Sequence, residues 1–124
     1  MNAALRLTLA SAAGIVALTA DAAQTPPIPK DMPYPVARRL LINLGYQPAP
    51  VPKPKCAAGR EDLCEGYTEL EACLNDAKKS CSFVWKHQDM VFEVNTRGES
   101  ELLVDRIRCR AKCDEPGKPS FSRP

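Results

Sequence analysis

Six cysteines, Cys56, Cys64, Cys73, Cys81, Cys109 and Cys113, lie between positions 56 and 113 of a chain of 124 residues. Nothing else in the sequence limits the fold so strongly. Zinc knuckles need Cys-x-x-Cys pairs, and none occurs. An even number of spaced cysteines in a short chain reads as a disulfide framework of an oxidising compartment. Between its proline-rich ends only about 80 residues can pack, a size at which burial alone leaves a domain marginal. Each bridge adds roughly 2–4 kcal/mol.

Fifteen pairings are open to six cysteines. Cys73 to Cys81 is a short connection that lets the chain reverse between two element ends, so this pair is expected. Cys56 and Cys64 enclose a loop of similar size containing Gly59, which can also turn back. Cys109 with Cys113 follows by elimination. Bridged Cα atoms lie within about 7 Å, and four residues of straight strand cover roughly 13 Å. That pair therefore requires a turn at Ala111-Lys112. If the strand continues straight, Cys64 is the alternative partner of Cys109.

The N-terminus agrees with an oxidising destination. Met1 to Arg6 carries one positive charge, Leu7 to Thr19 is an uncharged, mostly apolar run, and Ala20-Asp21-Ala22 is a small-x-small site. This is the pattern of a secretory signal peptide (residues 1–22), cleaved after Ala22 or Ala23. The apolar run falls short of the roughly 20 residues of a membrane span, so no membrane insertion is expected after cleavage. The first cysteine, Cys56, is too far from the cleavage point for lipid attachment. A periplasmic or secreted protein is expected.

The formal net charge is +2, too weak and dispersed for a nucleic-acid footprint. The alternating Arg106, Arg108, Arg110 and Lys112 read as one solvated face of a strand.

Nine of the twelve prolines fall between Pro26 and Pro54. Residues 23–35 read as an extended, polyproline-like leader. Residues 48–54, with proline at every other position, are an edge strand at most. A helix is predicted from Pro35 to Leu44, with Ala37, Leu40, Leu41 and Leu44 on its apolar face and Arg38, Arg39 and Asn43 on the other. Gly45 suits a left-handed cap, and Tyr46 an apolar anchor after it. Residues 56–66 read as a loop. Thr68-x-x-Glu71 has the form of a capping box and predicts a short helix through Leu70, Cys73 and Leu74.

From Cys81 the period becomes two. Cys81, Phe83 and Trp85 share a face of a first strand. Gln88-Asp89 is a hairpin turn, Met90, Phe92 and Val94 alternate in a second strand, and Arg97 to Ser100 turns again with Gly98 free to take positive φ. A third strand runs from about Leu102 to Cys109, with Leu103, Ile107 and Cys109 in phase. The expected fold is α+β: a short helix packed on a three-stranded antiparallel meander, in a disulfide-stapled domain of residues 36–113. The tail, residues 114–124, has no apolar period and reads as disordered.

Gly45-Tyr46-Gln47-Pro48 after the helix, the spaced Cys56 and Cys64, Glu69-Leu70-Glu71-Ala72-Cys73, Cys81-Ser82-Phe83-Val84-Trp85 opening a hairpin, and Arg108-Cys109-x-x-x-Cys113 form a recognisable pattern. It resembles a group of small secreted, cysteine-containing proteins of proteobacteria without an assigned function, over about residues 36–113. The loop before Cys81 is usually richer in glycine in that group. The resemblance implies export and fold and supplies no activity.

No catalytic residue, cofactor or metal site is expected. His87, the single histidine, sits at a hairpin end. Ser80, Ser82 and Ser100 carry no motif, Glu69 and Glu71 point apart, and Asp89, Glu93 and Asp105 are scattered. Cys109-x-x-x-Cys113 lacks the helix-start context of a redox Cys-x-x-Cys. Phe83 and Trp85 read first as core and second as a candidate binding surface. The function favoured is a non-catalytic binding module, acting as an inhibitor or as a binder of a protein or envelope component. A structural or stress-related envelope protein without a specific ligand is the alternative, and a small hydrolase comes third.

Overall fold

Three strands in the second half of the chain build the middle and one edge of a single sheet. The computed structural model describes residues 26–113. The expected signal peptide and the tail from Asp114 lie outside these residues. In chain order the elements are α1 (Tyr34–Asn43), β1 (Gln47–Pro48), β2 (Lys55–Cys56), α2 (Glu61–Gly66), β3 (Leu70–Cys73), β4 (Cys81–His87), β5 (Met90–Arg97) and β6 (Leu103–Ala111). The fold is α+β. The sheet has six strands rather than three, in the order β2-β3-β4-β5-β6, with β1 also paired to β4. It is mixed, because β2 runs parallel to β3 while the other pairs are antiparallel.

Of three departures from the sequence reading, two come from backbone partners supplied by the rest of the chain and one from local helix-start chemistry. The helix expected from Thr68 is instead strand β3, with Leu70 opposite Phe83 and Cys73 opposite Cys81. A helix of some seven residues is marginal in isolation, and the open edge of β4 offers this segment a ladder. The loop expected at 56–66 contains α2, whose first turn carries Glu61 and Asp62 where acidic side chains favour a helix start. In β6, Val104 rather than Leu103 is buried. The pairing with β5 shifts between Asn95 and Thr96, and such a bulge resets the inward phase before Ile107.

The alternate prolines explain how residues 47–51 join the sheet. In a strand, successive N–H groups point to opposite edges. Prolines at 48, 50, 52 and 54 silence one edge and leave donors only on the other. Ala49 N–H donates to the Val84 carbonyl (2.9 Å) and Val51 N–H to that of Thr68 (2.9 Å). The outward edge is therefore closed to further pairing.

Helix α1 covers one face of the sheet. It starts one residue earlier than expected and ends in a Schellman arrangement: Gly45 (φ 93°) donates to the Ile42 carbonyl and Tyr46 to that of Leu41, both at 3.0 Å. Tyr46 then packs edge-on against Phe92. The buried face is Tyr34, Ala37 and Leu41. Leu44, expected on that face, lies at the cap and is 45 % exposed. Arg38, expected to point away from the sheet, turns into it, as described below. Residues 26–35 do more than lead into the helix, because Pro26 and Tyr34 are buried and Pro33 forms a bridge with Leu103.

The turns are fixed individually. Gln88 takes positive φ in the β4–β5 hairpin. Gly98 sits at φ +109°, and a Cβ there would lie 2.1 Å from the Glu101 carbonyl oxygen, so only glycine fits. The buried guanidinium of Arg60 donates to the carbonyls of Lys79 and Gly98, each at 3.1 Å. It ties the β3–β4 turn to the β5–β6 turn, and Gly98 N–H adds a bond to the Lys78 carbonyl (2.9 Å).

The three disulfides are Cys56–Cys64, Cys73–Cys81 and Cys109–Cys113, with Cα separations of 6.5, 4.1 and 5.6 Å. Lys112, at φ 54°, supplies the reversal that the last pair needs. Among the described residues no helix is long and apolar enough to cross a membrane.

Candidate functional site

Phe83 and Trp85 alternate on β4 and face α1. Both are 0 % exposed, so the candidate aromatic surface is core. Phe83 stacks on Tyr34 at 3.8 Å between ring centroids. Around them runs a buried polar chain that apolar patterning does not reveal. Trp85 Nε1–H donates to the Tyr34 hydroxyl (3.2 Å), Tyr34 donates to Glu69 Oε1 (2.7 Å), and Arg38 Nε–H donates to the same oxygen (2.7 Å). Glu69 is fully buried. Burial first, and then the adjacent Glu69 charge, push the Tyr34 hydroxyl far above its usual value, so it remains a donor. The hydrogen bond to Glu69 raises Arg38. This arrangement is closed to ligands and belongs to the scaffold.

Among the described residues, no part of α1 or α2 lines the hollow on the other face of the sheet. Ala72, Ser82, Asn95 and Arg106 line up across β3, β4, β5 and β6. The hollow, of about 570 Å³, lies over this row, walled by the turn carrying Leu74, Asp76 and Lys78 and by Arg106 and Arg108. The turn is firmly built: Asp76 accepts from the backbone N–H (2.8 Å) and the hydroxyl (2.7 Å) of Ser80. Leu74 is 55 % exposed beside the hollow. Asn95 Oδ1 and Thr96 Oγ1 are shut off from solvent and have no hydrogen-bond partner among the described residues, which is costly.

Next to the hollow lies a charged lattice. A bulge at Glu71 is marked by the pairing shift between Leu70 and Ala72; Glu69, before it, is buried against Tyr34, whereas Glu71 meets Arg110. Arg110 bonds both Glu71 (2.6 Å) and Glu93 (3.1 Å), and Arg108 lies 3.5 Å from Glu93. Beside this lattice Val84, opposite Glu93 and only 7 % exposed, is kept dry on the open face.

The Arg110 guanidinium holds the Glu71 carboxyl below the usual carboxylate range. A carboxyl depressed by folding stabilises the native state above its unfolded value and loses that contribution as pH falls through the folded one. Arg110→Met is therefore expected to lower the urea midpoint modestly at neutral pH, with the gap to wild type narrowing below the carboxylate range. A gap independent of pH would show that the pair is idle.

Other sequence candidates do not converge. His87 Nδ1–H donates to the Gly45 carbonyl (3.3 Å) and its ring lies 5.2 Å from that of Tyr46. Ser80 is committed to its turn, Asp89 reaches Lys112 and Asp105 reaches Lys30 and Arg97. Among the described residues no group of three or more His, Cys, Asp or Glu gathers as metal ligands would. Sequence reasoning missed Asn95 and the role of Arg38, whose only signal was polarity at positions that alternation assigns to surface. No protein-family model, no curated protein and no solved structure matches the chain.

Proposed function

We propose that this protein is an exported, non-catalytic binding module, periplasmic or secreted, whose contact surface for a protein or envelope component is the face of the sheet opposite α1. One observation carries the reading: a hollow of about 570 Å³ lined by Ser82, Asn95, Arg106 and Arg108 on that face. A scaffold with one face sealed by α1 and three disulfides presents that hollow rigidly, and preorganisation of this kind lowers the cost of association. The three disulfides fit an oxidising destination.

The test places a photo-crosslinking residue at Lys78, on the rim, in the exported protein. Discrete adducts are expected in the intact cell envelope. Ser82→Arg, which fills the hollow without entering the core, should abolish them, while Arg39→Glu on the far side of α1 should not. Adducts unaffected by Ser82→Arg would overturn the assignment of the face. Absence of any adduct would favour an envelope protein without a specific ligand.

A further inference from the structure

Strand β6 has two edges in very different states. Its inner edge pairs with β5 from Leu103 to Ala111, with bulges at Asp105 and Arg110. Its outer edge is occupied only at the start. There Asp31 N–H donates to the Val104 carbonyl, Val104 N–H to that of Met32, and Tyr34 N–H to that of Leu102, each at 2.8 Å. From Asp105 to Ala111 no other described residue bonds to the outer edge. The opposite margin of the sheet is the two-residue β2, and residues 47–51 have their outward donors replaced by proline. The second half of β6 is thus the long open edge among the described residues. Such an edge is a template for another strand unless it is blunted.

The side chains select the occupant. Arg106 and Arg108 alternate on one face, and Arg110, at the second bulge, joins Arg108 there on Glu93. Arg108 and Arg110 share Glu93, and Arg110 also takes Glu71. Arg106 is exposed and has no carboxylate within ion-pair distance among the described residues. Three guanidiniums therefore face two carboxylates. A second copy pairing antiparallel about Arg108 would set Arg106 against Arg110 and Arg108 against itself. Like charges in register are unfavourable, so self-association is the wrong occupant. An incoming strand with Asp or Glu at alternate positions supplies the missing charge and backbone partners for the regular stretch between the two bulges.

We propose that the outer edge of β6, from Asp105 to Ala111, is a strand-addition site for an extended acidic segment of a partner protein. The proposal rests on the binding-module reading but uses the edge of the sheet rather than the hollow. Main-chain bonds would supply affinity and the arginine face would supply selectivity, as in other cases of β-augmentation.

The test uses the full mature chain, isotope-labelled, and a synthetic heptapeptide of sequence Thr-Glu-Val-Glu-Val-Glu-Thr, with a counterpart carrying Lys for each Glu. The acidic peptide should shift the backbone amides of residues 105–111 and slow hydrogen exchange at alternate ones. The Lys peptide should do neither. Arg106→Glu should weaken the acidic peptide by about fivefold or more, and added salt should weaken it in parallel. Equal binding of both peptides, shifts centred on Ser82 and Asn95, slow exchange along the edge before any peptide is added, or dimers joined at β6 would each overturn it. A silent titration beside crosslinks that still respond to Ser82→Arg would remove the edge site and leave the binding module standing.

Discussion

Replacing Arg38 by aspartate is expected to cost about 3–5 kcal/mol, the range for breaking a buried ion pair. The new carboxylate would stand against Glu69, which is fully buried and already accepts from Tyr34. Two carboxylates cannot share that site without one taking up a proton. The measurement is the urea midpoint at neutral pH. Arg39→Asp, next door on the exposed side of α1, is the control and should change stability by no more than about 0.5 kcal/mol. Removing the pair altogether, with Arg38→Met and Glu69→Leu together, should recover much of the loss, since apolar replacement of a buried pair is often neutral. Arg38→Asp behaving like Arg39→Asp would show that Glu69 does not depend on it.

Leu41→Asp should be at least as severe, about 4 kcal/mol or more, because an unpaired charge would enter the contact between α1 and the sheet. Leu41 is 0 % exposed, and its carbonyl also closes the helix by accepting from Tyr46. The backbone bond survives the substitution, so the loss reports packing. Ile42→Asp, one residue on and 43 % exposed, is the matched control. A melting temperature lowered equally by both variants would mean that the helix does not pack through Leu41.

Local chemistry was legible where it acts alone. Gly45 caps α1, Gly98 and Gln88 take positive φ, and the three cysteine pairs are those that short reversals allow. Alternation placed Phe83, Trp85, Phe92 and Val94 inside. Where a residue's state depends on a partner far along the chain, the sequence was mute or misleading. Thr68-x-x-Glu71 carries a helix signal, yet β4 recruits that stretch as a strand. Arg38 and Glu69 are polar, and their burial is reasonable only because each finds the other 31 residues away. The shift of phase in β6 comes from a bulge that no single-strand pattern announces. The hollow was hidden for the same reason: Ala72, Ser82, Asn95 and Arg106 are unremarkable until four strands set them in a row.

The cysteines pair strictly in order of appearance, each with the next, at sequence separations of 8, 8 and 4. Closing such small rings costs little chain entropy, although Cys64 to Cys73, nine residues apart, closes about as easily as the native pairs, so the choice between them falls to the pairing of β3 with β4. No bridge reaches α1 or the proline-rich stretch before it. Reductant acts on the loops, on the β3–β4 strand ends and on the end of β6, whereas attachment of the helix depends on the packing of Tyr34, Ala37 and Leu41 and on the Arg38–Glu69 pair, none of which a thiol reagent touches.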